Sequence, residues 1–173
     1  YQVAAEEDDG SCFFPLAGLN CDGTPMEDFP TLATHSIARI WNEATLLGIR
    51  HDWARPTVHA RNLWHVSALT YDAWAAWSPP SNIAPRPWLL GDTVGNFDCP
   101  FEGLEVDWGT ADVLDARQRT ISYGAYRLLQ HRFANAPRAE RIAVHIDSQM
   151  EALGYDTAWH ETDRSEEHTS ELQ

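Results

Sequence analysis

The chain has no lysine: all 12 of its Lys and Arg positions are arginine, set against 26 Asp and Glu, for a net charge of -14. Without lysine there is no Schiff base, no lysine general base and no lysine phosphate ligand. A base-composition bias toward GC-rich codons and an adaptation to salt both account for the absence. The shortage of positive charge argues against nucleic acid and anionic membrane surfaces as partners, because phosphate binding depends on cations. No run of about 18 apolar residues exists, so no membrane span is expected. Neither a Gly-rich phosphate loop after a strand nor a Gly-x-Ser-x-Gly elbow occurs.

What is present points to a packed globule. The 173 residues are 43% hydrophobic and 22% charged, with a mean hydropathy of -0.42. Eight Trp contribute to an aromatic content of 11%, and such side chains need much buried area. A chain of this length buries roughly 70% of its unfolded surface.

The ends carry their own signals. Tyr1 stands where a start methionine would, so the natural N-terminus is expected to be missing or processed off. The last ten residues, Arg-Ser-Glu-Glu-His-Thr-Ser-Glu-Leu-Gln, match a translated sequencing adapter. Residues 164–173 are therefore read as an artefactual tail and set aside.

Residues 1–33 read as an irregular segment. An acidic run spans Glu6 to Asp9, and Gly10, Pro15, Gly18, Gly23, Pro25 and Pro30 interrupt any regular element. Cys12 and Cys21 close a small disulfide loop in an exported protein and stay free thiols in the cytosol.

Four helices follow. Residues 34–51 place Ile37, Ile40, Trp41, Ala44 and Leu47 at helical spacing, with Thr34 or Ser36 as cap and Arg39 paired to Glu43 across one turn. Residues 56–77 open with Pro56 in the first turn and then hold Asp72 as the only formal charge from Leu63 to Trp77. Two apolar stripes on this segment predict the central helix of the fold: His59, Leu63, Val66, Thr70, Ala73 and Trp77, then Trp64, Ala68, Tyr71 and Ala75. Residues 110–134 have Thr110 as cap, Asp112 in the first turn, and Leu114, Ile121, Ala125, Leu128 and Phe133 on the apolar face. Residues 137–153 carry Ile142, Ile146, Met150 and Leu153, closed by Gly154. Between the second and third helices, residues 78–109 form a long Pro- and Gly-rich connection. No strand alternation, repeat or low-complexity tract is evident. The expected fold class is an all-α helical bundle.

The densest chemical cluster is 51–65, with three His, one Asp and two Arg. His51, Asp52 and His59 offer a metal-assisted hydrolase, although the spacing matches no zinc pattern. The alternative is that Arg55 and His59 tie the helix start to its surroundings. Ser67 sits in an apolar helix and reads as packing. Cys99 precedes Pro100 in a loop and reads as structural. Glu102, Glu105 and Asp107 lie in the connection and read as solvated.

Several segments resemble bacterial vanadium-dependent haloperoxidase-related proteins, of the type 2 phosphatidic acid phosphatase/haloperoxidase superfamily. They are 38–44 (Ala-Arg-Ile-Trp-Asn-Glu-Ala), 54–65 (Ala-Arg-Pro-Thr-Val-His-Ala-Arg-Asn-Leu-Trp-His) and 71–77 (Tyr-Asp-Ala-Trp-Ala-Ala-Trp). Further on come 99–103 (Cys-Pro-Phe-Glu-Gly), 122–129 (Ser-Tyr-Gly-Ala-Tyr-Arg-Leu-Leu), 131–137 (His-Arg-Phe-Ala-Asn-Ala-Pro) and 153–156 (Leu-Gly-Tyr-Asp). The resemblance covers about residues 34–156 and is to the N-terminal helical region of that family.

The resemblance implies an oxidoreductase in which one His holds vanadate while Lys and Arg neutralise its oxygens, and bound peroxide oxidises a halide. The family pattern begins with Lys, then six residues, then Arg-Pro. Here Gly48 stands seven before Arg55-Pro56, and Pro79 seven before Arg86-Pro87. The Pro-Ser-Gly-His and closing Ser-Arg blocks are absent. No catalytic, cofactor-binding or metal residue is therefore assigned. Residues 34–163 are expected to be the front part of a two-bundle protein, inactive alone, with vanadate a cofactor of the full-length parent. The missing C-terminal half is its expected partner, and exposed apolar surface favours aggregation or a homodimer. The parent is expected to be exported, periplasmic or extracellular. The alternative is a non-catalytic helical scaffold or binding protein sharing only the fold.

Overall fold

The computed structural model describes residues 32, 35–79, 81, 83–109 and 111–159. The irregular segment 1–33 (apart from Leu32), the cysteines Cys12 and Cys21, the caps expected of Thr34 and Thr110, and the adapter-like tail lie outside the described residues. The architecture is an all-α bundle of four helices: α1 (Ile37–Arg50), α2 (Pro56–Ala76), α3 (Val113–Phe133) and α4 (Ala139–Ala152). No helix among the described residues is long and apolar enough to cross a membrane.

The first helix starts at Ser36, whose side chain accepts the Arg39 amide at 3.3 Å. Its buried residues, Ile37, Ile40, Trp41, Ala44, Thr45 and Gly48, form one stripe at i, i+3, i+4, i+7, i+8 and i+11. Arg39 and Glu43 form no ion pair. Arg55–Asp52 and Arg119–Asp115 do form ion pairs, at 2.9 and 3.1 Å.

The central helix is α3, not α2. Like α1, it packs against all three other helices, whereas α2 packs only against α1 and α3. Residues Thr120 to Tyr126 of α3 are buried without interruption, while α2 turns Trp64, Tyr71 and Trp74 outward. The second stripe expected on α2 is thus split: Ala68 and Ala75 are covered, and the aromatics beside them are not. Sequence pattern records apolarity, and an exposed Trp is as apolar as a buried one.

The core joins Ile40, Trp41, Val66, Ile121, Leu129, Phe133, Ile142, Ile146 and Met150. Two buried indoles find acceptors on α3. Trp41 Nε1 donates to Ser122 Oγ at 3.0 Å, and Trp77 Nε1 donates to Thr120 Oγ1 at 2.8 Å. Each hydroxyl in turn donates to the carbonyl four residues back, Gln118 and Ala116 respectively. A buried indole without an acceptor would lose the full desolvation cost of its N–H.

The helix ends follow local rules. Asp112 caps α3 by accepting the Asp115 amide at 3.0 Å, so it is the cap rather than a first-turn residue. His131 and Arg132 sit in the last turn of α3, where positive charge suits the helix dipole. Gly154 ends α4 as expected, at φ 78°. Its amide bonds to Glu151 O and that of Tyr155 to Met150 O, both at 2.9 Å, the paired closure that a left-handed glycine makes possible.

The connection holds a small hairpin, β1 (Thr93–Val94) and β2 (Phe97–Asp98), antiparallel in the register Thr93↔Asp98 and Val94↔Phe97. Strands of two residues are too short for alternation to mark them. Gly95, at φ 64°, opens its two-residue turn.

One close approach sets the spacing of α1 and α3. A Cβ on Gly48 would lie 2.7 Å from Phe133 Cζ and 2.8 Å from Cδ2, inside a ring that is 2% exposed. Gly48→Ala is expected to destabilise the fold by about 1–3 kcal/mol despite alanine's better helix propensity. Adding Phe133→Leu to that variant should cost less than it does alone. Urea midpoints of the two single variants and the double variant measure this coupling.

Candidate functional site

Asp72 is 3% exposed and has no cationic partner among the described residues. Its carboxylate instead accepts three successive backbone amides. Trp88 N reaches Oδ1 at 2.6 Å, while Leu89 N and Leu90 N reach Oδ2 at 2.8 and 3.0 Å. A carboxylate needs several donors to be buried at tolerable cost. This one obtains them by drawing residues 88–90 onto α2.

That anchoring builds a groove. Trp64, Ser67, Ala68 and Tyr71 of α2 form one side, and Arg86, Pro87 and Trp88 of the connection form the other, around a cavity of about 450 Å³. Trp64 and Trp88 meet edge to face, with ring centroids 5.6 Å apart and planes at 80°. Trp64, Tyr71 and Trp88 are all exposed, as is Arg86. Sequence reasoning placed Trp64 and Tyr71 on one stripe but missed the groove, because its other wall comes from 86–88, brought over by Asp72.

A second cluster links α2 to α3. Arg132 Nη2 donates to His65 Nδ1 at 2.6 Å, so the neutral ring carries its proton on Nε2. Burial, then the charges of Arg132 and Arg61, hold His65 below its ordinary value of 6.5. On α4, burial and then the charge of His51 lower His145 in the same direction.

At the far end of α2, Arg117 covers the carbonyls that the helix terminus leaves open. Its Nε donates to Trp74 O at 3.1 Å, and its Nη2 to Trp77 O at 3.0 Å and Ser78 Oγ at 3.2 Å. The guanidinium lies 4.4 Å over the Trp74 ring, which accounts for that exposed indole.

The sequence-flagged residues His51, Asp52 and His59 serve the α1–α2 junction. His51 Nδ1 donates to Leu47 O at 2.9 Å. Both Asp52 oxygens accept Arg55 Nη2, at 3.1 and 2.9 Å. His59 Nε2 lies 2.7 Å from Trp53 O and 3.3 Å from the Arg55 amide. The shorter contact makes Nε2 the donor, and the lone pair on Nδ1 is then sealed from solvent. Asp52 is thus held by Arg55 and His59 by the backbone. No group of three or more His, Cys, Asp and Glu among the described residues is placed to hold a metal ion.

Cys99 is a half-buried free thiol whose backbone closes the hairpin, accepting from Gly91 N at 2.6 Å and donating to Asp92 O at 3.1 Å. Ser67 is exposed on the groove wall rather than packed. Glu102, Glu105 and Asp107 are exposed, and Asp107 accepts the Gly109 amide.

At His65, which faces Arg132 and Arg61, the Nδ1 lone pair a metal would need is already accepting from Arg132.

Fold and site together define an all-α bundle with a surface groove between its second helix and a tethered connection. No family model matches the chain, and neither a curated protein nor a solved structure matches it.

Two outcomes follow. Asp72→Ala leaves three amides without their acceptor and is expected to cost about 1.5–3 kcal/mol. Amide exchange should speed up most at residues 88–90, as hydrogen-exchange mass spectrometry would show. For His65, protonation is favoured in the unfolded chain over the folded one. Its contribution to stability is therefore full above pH 6.5 and is lost as pH falls from that value toward the lower folded one. Arg132→Leu removes both the donor and a charge, and should move the His65 ring titration, followed by NMR, back up toward 6.5.

Proposed function

We propose that residues 34–156 form the front helical bundle of a vanadium-dependent haloperoxidase-related protein, an exported bacterial oxidoreductase whose vanadate-binding residues lie outside this chain. In this reading the chain is scaffold, and two bundles make the whole. The supporting observation is how the resembling segments meet. Trp41 bonds to Ser122, His65 to Arg132, and Tyr123 Oη to Asp156 O at 3.0 Å. Each of these bonds joins one resembling segment to another. Their polar groups hold the bundle together, which is what a supporting half requires and an active centre does not.

The groove beside Trp64 favours a second reading, a helical binding protein without redox chemistry. Sequencing the genomic locus past the codon for Asp163 separates the two. Lys, Pro-Ser-Gly-His and Ser-Arg blocks in frame support the oxidoreductase. A stop codon without them overturns it. The purified chain is also expected to leave the ⁵¹V NMR signal of vanadate unbroadened and to show no peroxide-dependent bromination, and activity in the chain alone would overturn the scaffold assignment.

A further inference from the structure

The exposed aromatics of the bundle are not evenly scattered. Trp64, Tyr71 and Trp88 converge on one concavity of about 450 Å³, a volume suited to a single small molecule. Three large rings left 45–57% exposed around one cleft keep apolar surface in water that a ligand would cover. Trp64 and Trp88 stand nearly perpendicular, so they form a corner. A flat ring placed there lies on one indole and meets the edge of the other, the two arrangements aromatic pairs prefer.

The same groove holds a cation. Arg86 lines it, is exposed, and has no hydrogen bond or ion pair among the described residues. Arg39, Arg50 and Arg61 are also exposed without such a partner, but Arg86 is the arginine that lines this groove. Arg61 lies one helical turn before Trp64 on α2 and is also exposed, adding positive charge at that end. A guanidinium presents a planar pair of donors that matches a carboxylate. The net charge of -14 repels an anion in proportion to its charge, so among anionic ligands a small, singly charged one is opposed least.

We propose that this groove binds a planar aromatic carboxylate, its ring in the Trp64–Trp88 corner and its carboxylate on Arg86. Ser67 offers a hydroxyl on the same wall. The site is independent of the oxidoreductase proposal, since it needs only residues of α2 and the connection.

The probes are 2-naphthoate and its neutral counterpart 2-naphthol, titrated into the full chain by calorimetry at pH 7. The expected result is saturable binding with naphthoate favoured about fivefold to tenfold, a preference that falls with added salt. Arg86→Gln should bring the two probes to parity while leaving naphthol unchanged. Trp88→Ala should weaken both. Both positions are exposed, and circular dichroism checks that the variants keep the wild-type helix content. No saturable binding, equal affinity for the two probes in the unaltered chain, or indifference to Trp88→Ala would each overturn the site.

Discussion

The buried carboxylate of Asp72 is the constraint on which the functional surface depends. A charge placed on the inner side of a helix must be met by donors, and α2 offers none because its own amides are used within the helix. The three amides of residues 88–90 meet it from outside. A connection of more than thirty residues is thereby pinned at one point, about one turn from the C-terminal end of α2. The groove is the space left where Trp64 and Tyr71 are too large to be covered.

A second constraint concerns the interior. Large indoles supply apolar area, yet each brings an N–H that must be paired. Here α3 answers both needs at once. Ser122 and Thr120 accept from Trp41 and Trp77, and then pass their own protons to the helix backbone. Hydroxyls on α3 therefore explain why the most polar of the long helices is the central one. Gly48 lets α1 close onto Phe133 near the C-terminal end of α3. Composition alone hides this, because Ser and Thr in a helix interior ordinarily suggest a solvent face.

The helices were legible because they obey local rules. Ile37–Gly48 keeps its period, Pro56 and Gly154 mark the ends they are suited to mark, and the four segments agree with the structure to within a few residues. The errors share a cause. The rank of α2 as the central helix, the role of Asp72 as an anchor and the groove itself all depend on contacts between residues far apart in sequence. A lone acid in an apolar helix announces that something must meet it, but not what. The cluster at 51–65 was conspicuous by composition, and geometry divides it. His51, Asp52 and His59 close the α1–α2 junction, while His65 faces Arg132 on α3.

The all-arginine complement connects these observations. Arg117 spans two carbonyls and a hydroxyl while stacking on Trp74. Arg127 donates to Trp159 O and lies near the rings of Tyr123 and Trp159. Arg132 donates into a histidine ring. The first two draw on the guanidinium's several fixed donors or its flat face, neither of which an ammonium provides in that form. Arg117, Arg127 and Arg132 thus fasten one element to the next. Arg86 does none of this. It has no partner among the described residues and lines the groove beside the exposed rings of Trp64, Tyr71 and Trp88, and that placement among rings, rather than its freedom alone, is what sets it apart as a ligand-directed charge.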